Sequence, residues 1–120
     1  MINQKKIILG TAQFGSHYGV TNKIGEVKCS EVSKIIEEAN NNGISFFDTA
    51  PIYGNAEKKL GKYLNKNSNI ITKIAEIEDE EINEKGLKAI SNVFFNSLKN
   101  LKLNKIYCLL IHSRKDIYKK

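Results

Sequence analysis

The sequence predicts an α/β fold built on a parallel sheet, and three observations point to it. Strand and helix signals alternate four times along the chain, the strand candidates are continuous apolar runs, and titratable residues fall just after those runs. Continuous apolar strands suit a parallel sheet whose faces are covered by helices, whereas a half-solvated sheet would alternate polar with apolar residues. No repeat at a fixed period is present, so a solenoid is not supported.

Taken in order, KKIILG (5–10) reads as a short buried strand ended by Gly10, and TAQFGSHYGVTNKIGEVKC (11–29) as a long irregular loop rich in glycine and polar residues. A helix is expected next, with Ser30 as N-cap, Glu31 in the first turn and Val32, Ile35, Ile36 and Ala39 at helical spacing. Asn40, Asn41, Asn42 and Gly43 end it. ISFFDTA (44–50) is the second apolar run, and Pro51 forbids its continuation as a strand interior. A second helix starting near Asn55 would bury Ala56, Leu60 and Leu64, with Gly61 allowing a close neighbour. NIITKIA (69–75) is the third strand candidate. Leu87, Ile90, Phe94, Leu98 and Leu101 mark a third helix, KIYCLLIH (105–112) a fourth apolar run, and SRKDIYKK (113–120) the beginning of a further helix.

Composition narrows the class. The 120 residues suffice for one small domain; 41% are hydrophobic and 27% charged, which argues against disorder, and no apolar stretch approaches a membrane-spanning length. The start MINQKKIILG lacks the apolar core of a signal peptide, and Cys29 and Cys108 form neither a CxxC motif nor a disulfide framework, so a cytoplasmic protein with reduced thiols is expected. The net charge of +6 comes from lysines scattered among acids, with Arg114 the single arginine, so no nucleic-acid partner is expected. The acidic stretch EIEDEEINE (76–84) reads as a solvated loop entering a helix. His17 and His112 are not spaced as a ligand pair, so no metal site is expected.

In a parallel βα architecture function collects at the carboxyl ends of the strands. Asp48 ends the second strand, Tyr53 lies in the following loop, Lys73 is near the end of the third strand and His112 ends the fourth. Each has a bland alternative: Asp48 as a turn cap at Thr49, Tyr53 as a packing residue, His112 as a satisfied structural histidine. Lys73 is harder to explain so, because an ammonium flanked by Ile70, Ile71, Ile74 and Ala75 is costly to bury without a partner, which Asp48 would supply. Together the four make coherent chemistry. A phenol is a reluctant acid at neutral pH unless a nearby cation stabilises the phenolate. Lys73 would do this for Tyr53, with Asp48 holding Lys73 and His112 orienting a carbonyl. No side chain donates hydride, so reduction at such a site calls for a nicotinamide cofactor.

These residues resemble the aldo-keto reductases, through LGTAQFG (9–15), FFDTAPIYGNAEKKLGKYL (46–64), ITK (71–73) and SLKNLKLNKIYCLLIHS (97–113), with order and spacing both matching. The loop with YGVTN and Gly25 is similar to that of bacterial NADP-dependent members associated with cell-surface sugar pathways. The resemblance implies Asp48, Tyr53, Lys73 and His112 as a catalytic tetrad with Tyr53 the general acid, and Gly10, Thr11 and Asp48 beside the nicotinamide end of NADPH. It implies reversible reduction of a small aldehyde or ketone. Two departures, Ala56 where a serine often stands and Tyr107 where many members have aspartate, leave the tetrad untouched.

The fold implied is the N-terminal half of a (β/α)8 TIM barrel, truncated after its fourth strand, since a whole barrel needs about 250 residues. Residues 1–120 are thus expected to form a partial reductase domain carrying little of the cofactor site. The half barrel is expected to be inactive by itself and to need a completing polypeptide, as one half of a split enzyme, or self-association. A non-catalytic fragment or small α/β interaction module is the alternative. His17 and Tyr18 would either line the pocket mouth or cap a surface loop.

Overall fold

Each apolar run of the sequence forms a strand, and all four strands lie parallel in chain order. The computed structural model describes residues 7–77 and 82–119. Strand β1 (Ile8–Gly10) is followed by a one-turn helix α1 (Ala12–Gly15) and helix α2 (Cys29–Asn41). Then come β2 (Phe46–Asp48), α3 (Ala56–Leu60), β3 (Asn69–Ile74), α4 (Glu84–Leu101), β4 (Cys108–Ile111) and a 3-10 helix (Arg114–Tyr118). The sheet order is β1-β2-β3-β4, every pair parallel. This is the arrangement of the first half of a (β/α)8 barrel.

The hydrophobic core lies between one face of this sheet and the helices. Phe47 and Ile70 project from β2 and β3 onto Val32, Ile36 and Ala39 of α2, Ala56 and Leu60 of α3, and Leu101 of α4. Alternation along a strand turns Phe46, Asp48, Ile71 and Lys73 to the opposite face. Among the described residues no helix covers that face: Ile8 is 51% exposed and Leu110 41%. The outermost strands β1 and β4 each pair on one side only among the described residues.

Several local expectations shift. The loop after β1 begins with helix α1 instead of running irregular throughout. Ser30 is not the cap of α2: Glu31 and Val32 both donate their backbone N–H to Lys28 O, so the helix starts at Cys29 and Ser30 lies within its first turn. Gly43, at φ +75, follows the last turn in the left-handed region that only glycine enters freely. Helix α4 is capped by Asn83, whose side chain accepts from Gly86 N. Its expected apolar stripe is unevenly covered, with Ile90, Phe94 and Leu98 half-buried. Leu101 is buried against α3, while Leu87 is 55% exposed. Gly61 permits that contact, for a Cβ there would stand 2.5 Å from Asn100 O. Of the acidic stretch, Glu76 is exposed and Glu84 opens α4, whereas positions 78–81 lie outside the described residues, as do Lys5 and Lys6 of the first strand candidate. The expected last helix is the short 3-10 helix.

Candidate active site

Strand register decides which polar side chains meet. Gly10, Asp48 and Ile71 are neighbours across β1, β2 and β3, and Lys73 lies two residues beyond Ile71 on the same face. Its side chain therefore reaches back across the sheet end to Asp48. Lys73 Nζ donates to both carboxylate oxygens, at 2.8 and 2.9 Å, and to Thr49 O at 2.9 Å. With the Lys73 side chain 14% exposed, an ammonium with three oxygen acceptors is held where an unpaired one would be costly. Asp48 thus partners Lys73 rather than capping at Thr49.

The turn after β2 carries Tyr53. Its backbone N–H donates to Ala50 O at 3.1 Å, its carbonyl accepts from Ala56 N at 3.0 Å, and Gly54 takes φ +55 between them. Two successive turns thus bring the chain from the strand end into α3. The Lys73 ammonium stands 5.2 Å from the Tyr53 ring centroid. His112, just after β4, meets the same ring edge-on, with centroids 6.2 Å apart and an interplanar angle of 74°. Its Nδ1 is buried and without a hydrogen-bond partner among the described residues. The structure therefore brings Asp48, Tyr53, Lys73 and His112 together at one end of the sheet.

Beside them opens a cleft of about 320 Å³ lined by Gly10, Thr11, Ala12, Gln13, Tyr18, Asp48 and Tyr53. Thr11 fixes its floor. Both its N–H and its hydroxyl donate to Asp48 O, each at 2.9 Å. A Cβ on Gly10 would meet no atom within 4 Å, so the space beside it is open. Gly10, Thr11 and Asp48 thus border the open part of the cleft. No group of three or more His, Cys, Asp or Glu among the described residues could hold a metal ion, and no helix there is long and apolar enough to cross a membrane.

The loop ahead of α2 separates its two candidate residues. Tyr18 stands at the cleft mouth, its ring 6.4 Å from that of Tyr53. His17 turns to the surface and bonds Asn22 O through Nε2 at 2.6 Å.

One buried acid had no place in the sequence-based site. Glu57, 2% exposed, accepts from the Thr72 hydroxyl at 2.9 Å and the Asn100 side-chain amide at 3.4 Å. It joins α3, which leads from the Tyr53 turn, to the strand residue preceding Lys73 and to α4. The signal was present, since an acid at position 57 shares the helix face of Ala56 and Leu60.

Comparisons with known proteins bear on the family and the fold. The model of the aldo/keto reductase family matches residues 6–118. Two solved structures of Pseudomonas aeruginosa proteins assigned to the aldo-keto reductases are similar, with TM-scores of 0.72 and 0.70 and sequence identities of 29% and 27%. Each match covers 89% of this chain, and the chain spans only about two fifths of those proteins, 42% and 40%. No curated protein sequence matches.

Proposed function

Because the chain belongs to the aldo/keto reductase family, we propose that it carries the proton-donating part of an NADPH-dependent carbonyl reductase site. One observation supports this above the others: an ammonium clamped by Asp48 and Thr49 O stands 5.2 Å from the ring centre of a phenol beside an open cleft. A cation held there favours negative charge on the phenol oxygen as its proton leaves. Tyr53 gives that proton to the carbonyl oxygen of the substrate. His112, against the same ring, orients the carbonyl by a hydrogen bond. Asp48 keeps Lys73 in place, and Gly10 and Thr11 border the space for the nicotinamide. That ring, when bound, supplies the hydride that the carbonyl carbon receives.

The rest of the barrel enters the same proposal. The one-sided pairing of β1 and β4 and the uncovered inner face suit further βα units. More of the same polypeptide, a completing polypeptide or self-association would supply them, along with the remaining cofactor contacts. The cytoplasmic location expected from two separate thiols belongs to this proposal too.

Isotope transfer tests the reaction class. With a ketone and NADPH deuterated at the transferring position, the alcohol formed by the chain completed with the remaining βα units is expected to carry deuterium on its carbinol carbon. Absence of alcohol, or alcohol without deuterium, would refute the reading.

A further inference from the structure

Tyr18 is 61% exposed, yet its backbone is held from several sides. Its carbonyl accepts from Gln13 Nε2 at 3.0 Å and from Asn22 Nδ2 at 3.1 Å, and its N–H donates to Ser16 O at 3.0 Å. Asn22 also accepts from the N–H groups of Ile24 and Gly25 and donates to Gly25 O, while Gly19 leaves the tyrosine at φ +102. Further along, Lys59 Nζ grips Glu26 Oε1 and Val27 O, both at 2.5 Å, and Val27 N donates to Gln13 O at 2.9 Å. A loop without regular structure is thus pinned at both ends. It presents an aromatic face to water, 6.4 Å from the Tyr53 ring and tilted 39° to it. With the backbone already ordered, a molecule stacking on this ring would meet it at little further cost in chain entropy.

The donors of the cleft wall narrow what that is. The Thr11 N–H and hydroxyl are given to Asp48 O, Gln13 Nε2 to Tyr18 O, and the Lys73 ammonium to Asp48 and Thr49. The lining of the cleft holds no cation, and the one beside it, Lys73, already has three acceptors, so no positive charge is left to pair with a carboxylate or phosphate on a ligand. What faces the opening is the pair of tyrosine rings with their hydroxyls. We propose that Tyr18 is a specificity residue, a wall on which an uncharged carbonyl compound lays a planar, conjugated ring while its carbonyl oxygen meets the Tyr53 phenol. The carbonyl in this proposal rests on the reductase reading, and the ring rests on the loop geometry.

Binding tests it without turnover. The wild-type chain, Tyr18→Ala and Tyr18→Phe are titrated with acetophenone and with butanone, following the aromatic resonances of Tyr53 by NMR. Ketones are used so that lysines do not form imines as they would with aldehydes. Acetophenone is expected to move the Tyr53 resonances saturably. Its Kd should rise about three- to tenfold in Tyr18→Ala, the loss of one aromatic contact, and stay within about twofold in Tyr18→Phe, which keeps the ring. Butanone should bind all three chains alike. No acetophenone binding by the wild type, equal Kd values in all three chains, equal losses for both ketones, or a loss in Tyr18→Phe matching that in Tyr18→Ala would each overturn the proposal. Because butanone is expected to bind all three chains alike, a folding defect confined to Tyr18→Ala, which would weaken both ketones, cannot pass for the predicted pattern. Ring binding that follows the predicted pattern, without deuterium transfer to any ketone, would sink the reductase reading and leave the aromatic wall standing.

Discussion

Replacing Gly15 by alanine should displace Tyr53 without touching its side chain. A Cβ built on Gly15 falls 1.8 Å from Tyr53 O, 2.3 Å from Ala56 N and 2.7 Å from Asn55 N. These are backbone atoms, so no rotamer change relieves the contact. The Cβ would also wedge into the hydrogen bond from Ala56 N to Tyr53 O. Relief requires α1 and the Tyr53 turn to part by more than about 1 Å, given carbon contacts of about 3.5 Å or longer. Overpacking of this kind costs about 1–3 kcal/mol. A 1 Å misplacement of a reacting group can cost on the order of a hundredfold in rate. Gly61→Ala is the control. It drives a Cβ to 2.5 Å from Asn100 O, at the far end of α3 from Tyr53. Urea denaturation should show both variants destabilised by a similar amount. The NMR contact between the Tyr53 and His112 rings, whose centroids lie 6.2 Å apart, should be lost in Gly15→Ala alone. A Gly15→Ala chain with the wild-type midpoint and unshifted Tyr53 resonances would refute the reasoning.

Two further substitutions probe the polar groups around the site. Asp48→Ala leaves the Lys73 ammonium with Thr49 O as its one remaining acceptor among those found, and should lower stability by about 1–3 kcal/mol in urea; adding Lys73→Met should recover part of this, and no recovery would mean that the pair is not coupled. Glu57→Ala strands the Thr72 hydroxyl and the Asn100 amide and should cost about 1–3 kcal/mol, whereas Glu57→Gln keeps an acceptor and should cost less; equal losses would show that shape rather than hydrogen bonding sets the role of Glu57.

What the sequence revealed and what it hid follow from how locally each feature is determined. The strands were legible because Phe47 and Ile70 sit in apolar runs wherever the sheet is covered, and the end of α2 because Gly43 must take a positive φ. The start of α2 was not, since Ser30 has the right chemistry for a cap but lies in a turn whose first acceptor is Lys28 O. Nor could spacing show that Leu87, on the expected apolar stripe of α4, stands in water while Leu101 at its end is buried, because coverage depends on where α3 and β3 lie. Among the site residues, Lys73 announced its need for a partner by its apolar flanks, and Asp48 meets that need through strand register. Tyr18 and His17 are adjacent and equally polar in context. Only bonds between distant parts of the loop, Gln13 and Asn22 to Tyr18 O, send one to the cleft and the other to the surface. Glu57 was overlooked because an acid on a helix is ordinarily solvated, and its neutral partners Thr72 and Asn100 come from β3 and α4.

The most direct measurement of the central claim compares NADPH-dependent ketone reduction by the wild-type chain completed with the remaining βα units and by the same assembly carrying Tyr53→Phe, with NADPH affinity followed by cofactor fluorescence. Loss of the proton donor should lower kcat/KM by about a hundred- to ten-thousandfold while the NADPH affinity stays unchanged. A Tyr53→Phe protein that reduces ketones at the wild-type rate would contradict the account, because Tyr53 would then not be the acid.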